Sequence, residues 1–76
     1  MESVKRGVVA FHSTSHAIQA EKVCRAIGVE VKLIPTPRHI SSDCGVALRF
    51  DYCERHRIVA ALAEKNVEIS LVASLD

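Results

Sequence analysis

Four apolar strand-like runs and two helical stretches follow one another along this 76-residue chain in the order β-α-β-β-α-β. That order, with strand runs alternating at period two and helical runs carrying one apolar stripe, predicts an α+β fold: a ferredoxin-like two-layer sandwich. In it a four-stranded antiparallel sheet carries both helices on one face. Length agrees with this reading, because a chain of 8.3 kDa buries only about 60% of its unfolded surface and cannot divide that among separate cores. Residues 1–76 are therefore read as a single domain.

Each element has its own justification. Residues 7–11 (GVVAF) are a short β-branched run. The cluster His12, Ser13, Thr14 and Ser15 follows, offering hydroxyl N-caps to a helix. Over residues 15–27, His16, Ala20, Val23, Cys24 and Ile27 share one stripe opposite Glu21, Lys22 and Arg25, and Gly28 supplies the stop. This is an amphipathic helix of about three turns. Residues 29–34 (VEVKLI) alternate apolar and charged side chains and are ended by Pro35 and Pro37, the pattern of a half-exposed strand. Residues 45–50 (GVALRF) read as the third strand. Asp51-x-x-Glu54 then has the form of a capping box, opening a helix to about Asn66 whose buried stripe is Ile58, Val59, Leu62 and Ala63. Residues 67–72 (VEISLV) alternate again and close the chain as the fourth strand.

Right-handed connections make the first two strands parallel, place the third between them, and put the fourth beyond the first. The end of strand one, the start of helix one and the loop between strands two and three then share one end of the sheet. Residues 12–16 are expected near residues 35–45, and Cys53 at the other end, so Cys44 and Cys53 do not meet within one chain.

Composition excludes several function classes. Ten Lys/Arg against nine Asp/Glu leave a formal charge of +1, too weak a field to gather nucleic acid or an anionic membrane. Apolar runs are far shorter than a membrane helix needs, and the amino-terminal segment MESVKRGVVAF lacks a signal peptide's apolar stretch. A cytoplasmic location is expected. Three cysteines, at 24, 44 and 53, are an odd number without C-x-x-C spacing, so neither a disulfide framework nor a four-Cys zinc site can be written. With three aromatics and no Trp, the chain lacks stacking platforms for bases and its core is aliphatic.

Residues 35–44 (PTPRHISSDC) join two antiparallel strands with more chain than a hairpin needs, and long loops in compact domains are often functional. Cys44 precedes Gly45, which leaves room for a partner to reach the sulfur. Arg38, His39 and the amides of helix one favour its thiolate, while Asp43 opposes it. The plain alternative for Cys44 is an unreactive small hydrophobe. Cys24 lies on the inward stripe of helix one and is read as core. Cys53, near the start of helix two, is the rival nucleophile, expected to be exposed and mildly activated by the helix N-terminus. Ser13, Thr14 and Ser15 are helix caps that also offer an anion site for phosphate or a persulfide. His12, His16, His39 and Cys44 are zinc or copper ligand types, but no ligand spacing supports a metal site and none is expected. Ser13, His16 and Asp43 lack a nucleophile-elbow pattern, so a hydrolase triad is set aside.

Taken together, F-H-S-T-S-H-A-I-Q-A-E-K-V at 11–23, P-T-P-R at 35–38 and I-S-S-D-C-G-V-A-L-R at 40–49 resemble a small bacterial family of selenium/sulfur carrier-like proteins. The likeness covers most of residues 7–72. Its most specific parts are the S-x-x-H-A-x-x-A-E block from Ser13 to Glu21 and the S-S-D-C-G block ending at Gly45. The resemblance implies a cysteine that carries chalcogen, and Cys44 is the cysteine inside such a block. The expectation is a carrier that takes sulfur or selenium on Cys44 from a cysteine desulfurase-like donor and passes it to an acceptor protein. Arg38 and the amides near Ser13, Thr14 and Ser15 would stabilise thiolate and persulfide. His16 and His39 would assist proton movement, with Asp43 and Gly45 completing the binding segment. Such a protein needs no cofactor and is a transfer accessory more than a turnover enzyme. Two alternatives stand beside it. One is a non-catalytic interaction module, a homodimer through the sheet face or the edge strand 29–34. The other is a His/Cys metal-binding domain.

Overall fold

The computed structural model describes residues 5–40 and 45–75. Among them the elements are β1 (Arg6–Ala10), α1 (Thr14–Ala26), β2 (Val31–Pro35), β3 (Val46–Asp51), a 3-10 turn (Tyr52–Glu54), α2 (Arg55–Glu64) and β4 (Leu71–Ser74). The strands form one sheet in the order β2-β3-β1-β4 with every neighbouring pair antiparallel. This is the expected α+β ferredoxin-like sandwich, with β3 between the parallel β1 and β2. No helix among the described residues is long and apolar enough to cross a membrane.

Alternation along the strands builds two apolar layers. Val9, Leu48, Phe50 and Val31 point to the helix side, where they bury Phe11, Ala17, Ala20, Cys24, Ile58 and Leu62. The residues of α1 that reach the sheet side are small (Ala17, Ala20 and Cys24), so the helix lies close and side chains interlock at crystal-like density. On the opposite face Val8, Ala10 and Ala47 are also fully buried, closed over by Ile40 from the β2–β3 segment and by Ile34, Leu71, Ala73 and Leu75. That second layer was not foreseen.

Both helices stop in the same way, and this sets where the following strands begin. Gly28 takes φ +80° and Asn66 takes φ +59°, the left-handed conformation at the first residue past the cap. The Val29 N–H then donates back to the Cys24 carbonyl and the Val67 N–H to the Leu62 carbonyl, each at 2.9 Å. Gly28 to Arg25 and Asn66 to Ala63, each at 3.1 Å, complete two Schellman motifs. Val29 and Val67 are the buried apolar anchors of those motifs. Hence they are not strand residues, and the second and fourth strands start later than alternation predicts. The chain re-enters the sheet only where the Ser70 N–H reaches the Ala10 carbonyl at 2.7 Å.

Two further boundaries differ. The Asp51-x-x-Glu54 box is replaced by a 3-10 turn in which Asp51 accepts from the Cys53 N–H at 3.4 Å. Glu54 turns instead to Arg57 at 2.7 Å, and Arg57 also donates to the Ile27 carbonyl at 2.9 Å, tying the end of α1 to the start of α2. The stripe of α1 is centred on Ala17, Ala20 and Cys24, one residue on from His16, because helical side chains cover the surface N-terminal to their own Cα. Ile27 at the end of α1 and Val59 and Ala63 on α2, whose buried residues are Ile58 and Leu62, are outside the core, Ile27 and Val59 at 37% and 38% exposure.

Gly7 is required by its neighbours. It pairs directly with Phe50, and a β-carbon there would come within 2.6 Å of the Tyr52 ring and 2.7 Å of the Phe50 ring. Those rings stack at 6.3 Å over the glycine, with the Arg55 guanidinium 4.5 Å and the Lys5 ammonium 5.4 Å from the centre of Tyr52. Gly7→Ala should destabilise the protein by about 2 kcal/mol through overpacking, read as a lower urea midpoint at unchanged m-value. An unchanged midpoint would show that the aromatic pair moves aside freely.

Candidate functional site

The register Ala10↔Ala47 and Pro35↔Val46 brings the end of β1, the end of β2 and the start of β3 to one end of the sheet. Helix α1 starts there too, one short link after β1. The segment between β2 and β3 is closed at its base by the Thr36 N–H donating to the Gly45 carbonyl at 3.1 Å. Inside it the Ile40 N–H donates to the Pro37 carbonyl at 3.0 Å, a tight turn that exposes Arg38 and His39. Ile40 is buried against the helix-free face, so residues 36–40 fold away from the layer that holds α1. The two segments share an end of the sheet, as expected, but they approach it from opposite faces.

Ser13 caps α1, its Oγ accepting from the His16 N–H at 3.4 Å and lying 3.1 Å from His16 Nδ1 and 3.0 Å from Ser15 Oγ. This network fixes the ring of half-buried His16, while Thr14 and Ser15 are exposed at the start of the helix. Cap and neighbouring hydroxyl are one arrangement, so Ser13 and Ser15 hold each other. Among the described residues no three His, Cys, Asp or Glu side chains gather as a metal site, so His12, His16 and His39 do not converge. Asp43 and Cys44 lie outside the described residues. Gly45 is exposed, and among the described residues a β-carbon there would meet nothing within 4 Å.

The other two cysteines are described, and neither is poised to be a thiolate. Cys24 is fully buried in the main core, and loss of solvent pushes its thiol from 9.0 up to about 11. Cys53 is exposed, but the Asp51 carboxylate hydrogen-bonded to it raises its pKa, with Asp51 and Glu54 charges adding to the shift. The expected activation by the helix start is thus corrected. The carboxylates that open the turn outweigh its amides.

The family model described as "Putative Se/S carrier protein-like" matches residues 6–73. The chain belongs to this family. No curated protein and no solved structure matches it. In this Se/S carrier-like protein the matched span runs from the first residue of β1 into β4, and so includes both sequence blocks and the segment between β2 and β3.

At the opposite end of the sheet lies a feature that sequence reading missed. An open depression of about 960 Å³ is lined by Arg6, Arg25, Lys32, Arg49, Asp51 and Cys53, among others. Lys32 and Arg49 stand directly opposite each other on neighbouring strands. Alternation alone could have placed each on the polar face of its strand, but their pairing depends on register.

The burial of Cys24 has a pH signature. The unfolded thiol loses its proton near 9.0 while the folded one keeps it to about 11. Between these values the unfolded state binds fewer protons, so stability is intact below about pH 9 and falls as pH rises toward 11. Cys24→Ala starts less stable, but its deficit should narrow by on the order of 2 kcal/mol across that window in urea titrations. A constant deficit would show that Cys24 ionises in place.

Proposed function

We propose that this member of the Se/S carrier-like family carries chalcogen on Cys44. The observation that supports the choice is the state of the alternatives: Cys24 is buried with its thiol pushed up to about 11, and Cys53, though exposed, is held toward the protonated thiol by Asp51 and Glu54. Cys44 is the remaining thiol, in a long segment between strands and next to a glycine whose missing side chain meets none of the described residues. Thiolate character decides reactivity toward sulfane sulfur.

The transfer is a pair of exchanges at sulfur. Cys44 thiolate attacks the terminal sulfur of a donor cysteine persulfide; the new S–S bond forms as the donor's breaks, and the donor thiolate leaves with that electron pair. An acceptor nucleophile then attacks the terminal atom and the Cys44 thiolate leaves. Neither step is a net oxidation, so no cofactor is consumed. Selenium follows the same course as the terminal atom. Arg38, exposed beside the segment, supplies positive charge for thiolate and terminal persulfide, and Ser13, Thr14 and Ser15 offer hydroxyls and amides at the same end of the sheet. His39 and the Ser13-held His16 are proton carriers, while Asp43 and Gly45 are the sequence neighbours of Cys44.

Intact-mass and peptide mapping after incubation with a cysteine desulfurase and cysteine tests this. The expected result is one reductant-labile sulfur on Cys44, lost in Cys44→Ser and kept in Cys53→Ser. No adduct on Cys44, or equal labelling of all three cysteines, would leave the non-catalytic interaction module as the better account.

Gly45 gives a second test. Since its missing side chain faces no neighbour among the described residues, Gly45→Val should melt with wild type. Persulfide transfer from a protein donor should slow about tenfold through loss of close approach, while labelling by a small sulfane donor stays unchanged. Equal rates with both donors would remove Gly45 from the site.

A further inference from the structure

The link from β2 to β3 holds more chain than its two strands require, since antiparallel neighbours are joined in about two to five residues. Its first part, residues 36–40, runs to the helix-free face of the sheet. There Ile40 is only 7% exposed and its N–H donates to the Pro37 carbonyl at 3.0 Å. The seat beneath Ile40 is Val8, Ala10 and Ala47, all fully buried. Ala10 and Ala47 stand opposite each other on β1 and β3, and their small side chains leave the sheet surface low enough to take a branched one. The link is fastened a second time where the Thr36 N–H meets the Gly45 carbonyl at 3.1 Å. In the sequence only residues 41–44 separate Ile40 from Gly45, and Cys44 is one of them.

We propose that Ile40 is a positioning residue for Cys44, seated on Ala10 and Ala47 to shorten the span of chain that a protein donor must order. The inference rests on the reading of Cys44 as carrier and adds how the fold prepares that cysteine for its partner. With Ile40 seated, the chain between fastenings is residues 41–44; unseated, it is residues 37–44, twice as long. The entropy lost in fixing a loop grows with the logarithm of its length, and each doubling is worth about threefold. Sulfur exchange with a protein donor requires the segment in one geometry against the donor's site, so the shorter span transfers faster. A small sulfane donor diffuses to the thiol and makes no such demand. Cover for the two alanines already comes from their own ladder partners, Leu71 beside Ala10 and Ile34 beside Ala47. Ile40 therefore adds a tie to the link rather than the first layer over them.

The test measures the second-order rate of sulfur transfer from a persulfidated cysteine desulfurase to Cys44 of the full chain, beside labelling by a small sulfane donor. Three variants are compared with wild type. Ile40→Ala empties the seat. An insertion of four glycines between Ile40 and Ser41 doubles the same span with the seat untouched, and decides the matter where Ile40→Ala does not fold. Leu71→Ala removes apolar cover from the same face without touching the link. Transfer from the desulfurase should slow about threefold in Ile40→Ala and in the insertion, with small-donor labelling unchanged, while Leu71→Ala transfers like wild type and Ile40→Val restores the rate. Loss of stability in Ile40→Ala is expected whichever role Ile40 has, so it is not the readout. Hydrogen exchange of the amide at position 40 should quicken in Ile40→Ala and stay slow in the insertion. The proposal is overturned by a desulfurase rate that is unchanged in either Ile40→Ala or the insertion, by equal slowing in Leu71→Ala, or by equal slowing with the small donor. A wild-type chain that takes no sulfur on Cys44 is a different failure, that of the carrier reading, and the exchange at position 40 still reports whether Ile40 fastens the link.

Discussion

Antiparallel pairing of β1 with β3 in the register Ala10↔Ala47 places Val9 and Leu48 under the helices, and Val8 with Ala47 on the other side. Everything else in the chain is arranged around that ladder. Because β3 must run back beside β1, β2 arrives parallel to β1 and the link from β2 to β3 emerges at the end where α1 begins. A one-residue slip would turn Leu48 and Phe50 out of the core and Ala47 and Arg49 into it. The alanines at 10 and 47 are tolerated at the centre of the helix-free face because Ile40, Ile34 and Leu71 converge over them. The segment between β2 and β3 is thereby pinned at Ile40, so a packing contact on one face of the sheet limits how far residues 36–40 can travel.

The caps and the sheet act together. In each half of the chain a left-handed residue, Gly28 or Asn66, reverses the backbone and a valine seals the reversal against the core. These reversals fix the direction in which the chain leaves each helix, and β2 and β4 enter opposite edges of the sheet as a result. The edges are not equivalent. Lys32 and Pro35 protect β2 from pairing with another chain, while β4 has only four residues and no charge. An assembly through the β2 edge is therefore disfavoured by the side chains that alternate along it.

Sequence periodicity carried the element order because it reports which face each residue presents, and four strands with two helices allow few arrangements once connections are right-handed. It could not show that Val29 and Val67 serve as cap anchors, since a β-branched residue before an alternating run reads as strand whichever role it has. Nor could it show Ile40 as core, because a lone apolar residue among prolines and serines carries no period. For the site, the Ser13 cap and the core position of Cys24 were legible, each depending on neighbours within one helical turn. The Cys53 environment was visible in Asp51 and Glu54 but misread in sign, as the amides of a short turn were weighted above two adjacent carboxylates. The opposed cations at Lys32 and Arg49 needed the register, which no local pattern contains.

Under the proposed carriage of chalcogen by Cys44, any other thiolate within reach of a persulfide could capture its sulfur. Cys24 and Cys53 are held toward the thiol form by two separate physical routes. Cys24 is withdrawn from solvent, so ionisation is opposed by lost hydration and access is denied together. Cys53 remains in contact with water, but in the Asp51–Glu54 turn the neighbouring carboxylates oppose its ionisation. The two mechanisms respond differently to the surroundings. Salt screens the carboxylates around Cys53 and weakens their hold, whereas burial of Cys24 is indifferent to ionic strength. The protonation of these two thiols is therefore set in one case by packing, which is fixed once the sheet forms, and in the other by surface charge, whose effect varies with the medium.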